Sequence, residues 1–143
     1  MKIFVLEGIN GAGKSLAGTL IRNAIHECGS QCIVIDPTAV GPIGRLLRER
    51  IVDPSFRNNA NLDAVLFTAL RAAGAQHILQ SIDAKSSVTL VLERWSLALA
   101  AYGAADGTQL ELVRELRSVL DSVLKVDYTF LLDVHGRTAV GRL

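Results

Sequence analysis

Apolar residues gather along the chain in two kinds of segment. Four are short and continuous: Lys2–Leu6 (KIFVL), Gln31–Ile35 (QCIVI), Val88–Leu92 (VTLVL) and Tyr128–Leu132 (YTFLL). Their β-branched and aromatic content predicts strands, and the unbroken apolarity of the first two suits buried strands of a parallel sheet. Between them, apolar residues recur at intervals of three and four. Lys14 to about Glu27 reads as a helix, with Leu16, Leu20 and Ala24 on one face and Gly29 as a stop. Pro42-Ile43-Gly44 opens a second helical stretch through about Arg50, rich in Leu and Arg and broken at Asp53-Pro54. From Asn61 to about Ile82 the pattern is Leu62, Val65, Leu66, Ala69, Ala73. Thr108–Leu124 carries a stripe of Leu110, Val113, Leu116 and Leu120. Its glutamates come early and its arginines later, as the helix dipole favours. Thr138–Leu143 reads as the beginning of one more helix.

Strands alternating with helices imply an α/β fold, a parallel sheet with helices on both faces. With 143 residues, half of them hydrophobic, the chain is read as a single domain, 1–143. In such folds ligands gather at the carboxyl ends of the strands. Three of the four predicted ends carry polar or glycine-rich sequence: Glu7–Ser15, Asp36-Pro37 and Glu93-Arg94.

Charge narrows the range of partners. Lys plus Arg is 15 and Asp plus Glu is 14, a formal net charge of +1, which argues against an electrostatic nucleic-acid binder. No apolar run reaches the ~18 residues needed to span a bilayer, and no export signal is visible, so a soluble cytoplasmic protein is expected. Cys28 and Cys32 form a lone CxxxC, which is neither a disulfide framework nor a zinc signature. His26, His77 and His135 show no metal-ligand spacing. Arg45, Arg48 and Arg50 read as a solvated helix face.

The glycine-rich end of the first strand carries the clearest chemistry. Gly8-Ile9-Asn10-Gly11-Ala12-Gly13-Lys14-Ser15 fits G-x-x-x-x-G-K-[ST], placed between a predicted strand and a predicted helix. Glycines let backbone N–H groups curl around an anion without a Cβ in the way. The following helix adds its N-terminal dipole. In such a loop Lys14 would reach the β- and γ-phosphates of ATP, and the Ser15 hydroxyl would ligate Mg²⁺. Asn10, Gly11, Ala12, Gly13, Lys14, Ser15 and Leu16 are therefore the expected ATP contacts. The expected fold becomes the three-layer α/β/α arrangement of P-loop NTPases.

Further motifs follow in order. The opening VLEGINGAGKS is succeeded by DPTAVGPIG, then VLFTALR, LERWSLALAAYG and YTFLLDVHGRTAVGRL. In this order and spacing the chain resembles the thymidylate kinase family of P-loop nucleoside monophosphate kinases, over nearly its whole length. The resemblance implies ATP-dependent, Mg²⁺-assisted phosphorylation of a nucleoside monophosphate such as dTMP, with small-molecule nucleotides as partners. It implies that Phe67 stacks on the acceptor base. Arg71 and Arg94 would bind the acceptor phosphate and the migrating phosphoryl group. Glu93 would hold Mg²⁺ with Ser15, Tyr102 would line the pocket near the sugar, and Asp36 and Pro37 would shape its other wall. Lys14, Arg71, Glu93 and Arg94 make up the expected catalytic set. The family often forms dimers through helices beside the sheet, and the apolar stretch 61–82 would permit a homodimer.

The sequence departs from the family pattern mostly on the acceptor side. Asn10 replaces a carboxylate, Thr38 a glycine, Ile35 an arginine, Ala98 a serine and Gly103 a glutamine. The family usually continues into an arginine-bearing lid and a last strand, and the resemblance implies that these are missing after Leu143. Two alternatives stand beside the monophosphate kinase: a deoxynucleoside kinase with Glu93 or Asp36 as base, and a non-catalytic nucleotide-binding module or fragment.

Overall fold

The four apolar runs become one parallel sheet. A computed structural model of the chain describes residues 1–51, 53, 59–82 and 87–143. The Pro54 break, and the side chains of Arg45 and Arg50, lie outside the described residues. The strands are β1 (Lys2–Glu7), β2 (Gln31–Ile35), β3 (Val88–Glu93) and β4 (Tyr128–Leu131), ordered β2-β3-β1-β4. β1 sits between two neighbours, with Val5 opposite Leu92 on one side and Thr129 on the other. A strand paired on both edges keeps most of its side chains from solvent, and here even Glu7 is buried, at 3% exposure. Ile3, Val5 and Leu6 are accordingly buried.

By internal packing the described residues form two compact units. The first comprises Met1–Ile35, Ala84–Arg94 and Val126–Leu143. It holds the sheet, helix α1 (Lys14–Glu27) and a short C-terminal helix. Leu6, Cys32 and Val91 form its core on the α1 side, closed by Phe4, Ala17, Ile21, Ile25, Val34 and Leu132. The face of α1 that packs is therefore Ala17, Ile21 and Ile25. The Leu16 and Leu20 stripe expected to be its apolar face lies outward, 65% and 60% exposed. Gly18 explains the choice of face: a Cβ there would stand 2.6 Å from Val34 Cγ1, so only this side lets the helix approach the sheet closely.

β2 differs from the expected buried strand. It is an edge strand with only Cys32 buried. β4 is the opposite edge, and all four of its residues are exposed. Phe4 makes edge-to-face contacts with both Tyr128 and Phe130, at 5.6 and 5.8 Å between ring centroids.

The second unit comprises Asp36–Asp83 and Trp95–Lys125. It contains a 3₁₀ turn (Pro37–Ala39) and helices α2 (Pro42–Ile51), α3 (Ala60–Ser81), α4 (Ser96–Asp106) and α5 (Leu110–Val123). Asn59 caps α3 by accepting from the N–H groups of Asn61 and Leu62. α3 buries Ala64, Thr68, Leu70, Arg71, Gly74, Ala75 and Ile78. Of the expected stripe, Leu62, Val65 and Ala69 are exposed and Leu66 and Ala73 half-buried, because a helix apolar nearly all round has no single stripe to read. A Cβ on Gly74 would overlap the Pro37 carbonyl oxygen, so the bare backbone there is what lets α3 seat against the turn. α5 keeps most of its predicted face, with Val113 and Leu120 buried and Leu116 half-buried, while Leu110 at its start is 57% exposed. Its start is tied to the start of α3, where the Thr108 hydroxyl donates to Ala60 O at 3.2 Å and Gln109 N–H to Asn61 Oδ1 at 3.1 Å.

The helix expected over Thr138–Leu143 is α6 (Gly136–Val140), shifted toward the N-terminus. His135 sets its start, since the ring Nδ1 accepts from Arg137 N–H at 3.3 Å.

Candidate active site

The loop after β1 turns back on itself at Ala12, whose N–H donates to Ile9 O at 3.2 Å. Gly11 and Gly13 both take the left-handed backbone, φ 77° and 93°. α1 begins at Lys14, and its first turn is closed by Ala17 N–H donating to Gly13 O at 2.9 Å. Strand, glycine loop and helix N-terminus thus follow in the order that builds an anion cradle. Lys14 folds back over this loop, its ammonium donating to Gly8 O at 2.9 Å and Ile9 O at 2.8 Å. It is only 8% exposed, so the charge is held at the mouth of the cradle rather than in bulk solvent.

α6 leans on the same loop. A Cβ on Gly11 would overlap the Ala139 carbonyl oxygen and stand 2.8 Å from its carbon. Arg142 Nη1 donates to Gly11 O at 3.5 Å, a long contact at the edge of hydrogen-bond range. Sequence spacing alone did not bring α6 to the loop.

β3 delivers the second group of residues. It runs parallel to β1, and Leu6 is the register partner of Glu93. The end of β3 therefore comes level with the start of the glycine loop. Ser15 Oγ donates to Glu93 Oε2 at 3.0 Å, joining the first turn of α1 to the strand end. The next residue, Arg94, has a left-handed backbone (φ 71°), unusual for any residue but glycine. Its N–H donates to Leu6 O at 2.9 Å, and its Nη2 donates to Asn10 Oδ1. Lys14, Ser15, Glu93, Arg94 and Asn10, singled out from separate motifs, converge here.

The remaining expected site residues lie in the second unit. Phe67 and Arg71 are one helical turn apart on α3, and the Arg71 guanidinium lies over the Phe67 ring, 5.7 Å from its centroid. Arg71 is 4% exposed, so its guanidinium is held inside the unit rather than in solvent. Phe67 is half-buried. Tyr102 is 46% exposed on α4. Pro37 is fully buried at the start of the 3₁₀ turn.

Asp36 is engaged locally. Its Oδ1 accepts from Thr38 N–H at 2.8 Å and from the Thr38 hydroxyl at 2.7 Å, capping the 3₁₀ turn. Arg48 adds an ion pair at 3.6 Å to Asp36 and donates to Thr38 Oγ1 at 3.1 Å. Arg48 had read as part of a solvated face, and its reach back to Asp36 was missed. The Asp-x-Thr capping pattern was visible in the sequence, but a partner twelve positions beyond Asp36 was not.

This fold and loop define a nucleotide-binding protein of the P-loop kinase class. Comparison with known proteins narrows the class. The family model for thymidylate kinase matches residues 6–143. The thymidylate kinase of Chromobacterium violaceum is 30% identical over 145 residues, covering 99% of this chain and 67% of that protein. That of Brachyspira hyodysenteriae is 28% identical over 142 residues, covering 99% and 68%. The chain belongs to the thymidylate kinase family. The crystal structure of the Ehrlichia chaffeensis thymidylate kinase shares the fold, with a TM-score of 0.77 at 17% identity over 99% of this chain and 81% of that one. The chain spans about two thirds of the length of the curated relatives it matches, for example 66% of the Hahella chejuensis protein and 64% of the Pelodictyon phaeoclathratiforme protein.

Proposed function

We propose that this chain transfers the γ-phosphoryl group of ATP to a nucleoside monophosphate, with thymidylate as the acceptor, and that residues 1–143 act as one kinase domain. The observation that carries this reading is the meeting of Ser15, Glu93 and Arg94 at the glycine loop of a thymidylate kinase family member. Phosphoryl transfer needs little covalent work from the protein; it needs positioning and charge neutralisation. Lys14 would take phosphate oxygens, exchanging the loop carbonyls it now holds for anionic ones. Loop N–H groups and the α1 dipole add to its field. Arg94 would neutralise charge on the group in flight. Phe67 offers an aromatic face to the acceptor base, and Arg71, stacked behind it, would meet the acceptor phosphate.

The chemistry of the Ser15–Glu93 pair fits Mg²⁺. Both are hard oxygen donors, and they stand 3.0 Å apart beside the loop, where together they would hold the ion. Bound there, Mg²⁺ would supply charge to the phosphates of ATP. No cluster of three or more His, Cys, Asp or Glu suited to a metal occurs among the described residues. No helix among the described residues is long and apolar enough to cross a membrane. A cytoplasmic setting and a homodimer formed through helices fit this reading.

Asp36 bears on the deoxynucleoside kinase alternative. Its carboxylate already accepts from Thr38 and pairs with Arg48, so in that alternative the base would be Glu93.

The test is product-resolved transfer from Mg-ATP to a panel of nucleosides and nucleoside monophosphates, with Lys14→Ala as control. Thymidine diphosphate formed from thymidylate and lost in the variant is the expected result. Monophosphates formed from nucleosides would overturn it in favour of the nucleoside kinase. ATP binding with no transfer to any acceptor would leave a binding module.

A further inference from the structure

Thr38 stands where the family has glycine, and its hydroxyl joins two charged groups. It donates to Asp36 Oδ1 at 2.7 Å and accepts from Arg48 Nη1 at 3.1 Å. Asp36 and Arg48 do not bond directly: Nη1 stands 3.6 Å from Asp36 Oδ2, near enough to feel the charge but beyond a hydrogen bond. The hydroxyl spans that gap and gives a loose ion pair a fixed direction. The family segment that DPTAVGPIG resembles, EPGGTPIG, has glutamate and glycine at these two positions. A glutamate is one methylene longer and would reach the arginine unaided. Aspartate with threonine then does by relay what glutamate with glycine would do by length.

The packing of the second unit places Arg48 beside two expected acceptor residues. α2 runs back along α3, since a Cβ on Gly41 would stand 3.3 Å from His77 Cγ and one on Gly44 3.6 Å from Leu70 Cδ1. Arg48 lies one turn beyond Gly44 on the same face, and its side chain leans back over that turn to meet Thr38. It thus shares a corner of the unit with Leu70 and with the stacked pair Phe67 and Arg71. The Arg48 side chain is 51% exposed, so a ligand can reach it. A guanidinium has five N–H donors, and the bond to Thr38 uses one of them.

We propose that Thr38 is a positioning residue for the acceptor nucleotide: together with Asp36 it fixes the Arg48 guanidinium beside Phe67 and Arg71, with further N–H donors turned to the acceptor. This deepens the proposed function and rests on it. Thr38 itself touches no part of the acceptor.

The test compares Thr38→Val, which keeps the shape and removes the hydroxyl, with Thr38→Ser, which keeps the hydroxyl. A third variant joins Thr38→Val to Asp36→Glu. The first readout is steady-state transfer to thymidylate, separated into kcat and the KM of each substrate. The second needs no turnover: ¹⁵N NMR of the arginine side chains in the nucleotide-free protein, with the Arg48 signal assigned by its loss in Arg48→Lys. Thr38→Val is expected to raise KM for thymidylate about fivefold, equivalent to about 1 kcal/mol, without moving KM for ATP. It should also release an Arg48 signal that is immobilised in the unmodified chain. Thr38→Ser should keep both properties, and the added Asp36→Glu should bring KM for thymidylate back down and immobilise Arg48 again. A general loss of packing would raise both KM values and would not be repaired by a longer carboxylate. An unchanged KM for thymidylate in Thr38→Val, an Arg48 signal still immobilised there, or no recovery with Asp36→Glu overturns the proposal. Absence of transfer by the unmodified chain would overturn the kinase reading and the acceptor role with it, while the NMR arm would still decide whether Thr38 holds Arg48.

Discussion

Replacing Gly11 by alanine separates two costs that usually arrive together. Gly11 has a left-handed backbone at φ 77°, where an L-residue costs roughly 1–2 kcal/mol. It also lies under α6, where an added Cβ would overlap the Ala139 carbonyl oxygen and stand 2.8 Å from its carbon. Carbon–carbon contacts settle at about 3.5–4.0 Å, so α6 or the loop must retreat by roughly 1 Å. Overpacking of this kind costs about 1–3 kcal/mol. Gly29 supplies the reference, since its φ of 75° is nearly the same and a Cβ there would meet nothing within 4 Å. Gly29→Ala should therefore show the backbone cost alone, and Gly11→Ala that cost plus the contact. In urea unfolding, where small proteins lose about 1–3 kcal/mol per molar, the two midpoints should differ by on the order of 1 M. ATP titration should show weaker binding for Gly11→Ala and unchanged binding for Gly29→Ala. Equal midpoints for the two variants would refute the claim that α6 packs against the phosphate loop.

Two further outcomes follow from burial. Leu120 has no exposed surface, so Leu120→Ala should cost about 2–5 kcal/mol by chemical denaturation, and a cost under about 1 kcal/mol would contradict its place in the α5 core. Cys28 is exposed and Cys32 buried, so iodoacetamide should add one label to the native chain and two after unfolding, by mass spectrometry. Burial raises the Cys32 thiol above its ordinary value, with Arg22 partly opposing. The unfolded thiol then ionises first as pH rises past 9.0, while the folded one keeps its proton. Native stability should fall from that point upward until the folded thiol ionises too, and the fall should be shallower in Cys32→Ala.

The parts legible in the sequence were those whose signal is local. The glycine loop is a contiguous motif with fixed chemistry, and it arrived where the motif required. The strands were legible because parallel strands are apolar on both faces, a pattern few other segments show over so few residues. Helix faces were harder. α1 offered both Leu16-Leu20 and Ala17-Ile21-Ile25, and the small Gly18 beside Val34 decided between them. α4 was not anticipated, because SLALAAYGAAD is alanine and leucine with no polar side to define a stripe. Within the site, Lys14, Ser15, Glu93 and Arg94 were found by motif. The pairing of Arg94 with Asn10, and of Arg48 with Asp36, depends on side chains from separate segments meeting, which one-dimensional spacing does not encode.

Arg94 sets two kinds of selection against each other. Its left-handed backbone would be more comfortable as glycine or asparagine. A library at this position screened only for folding, without nucleotide, should drift toward those two residues. The same library screened for phosphoryl transfer should return arginine. Positions where the two screens disagree would mark, from experiment alone, the residues at which this chain gives up stability for its work.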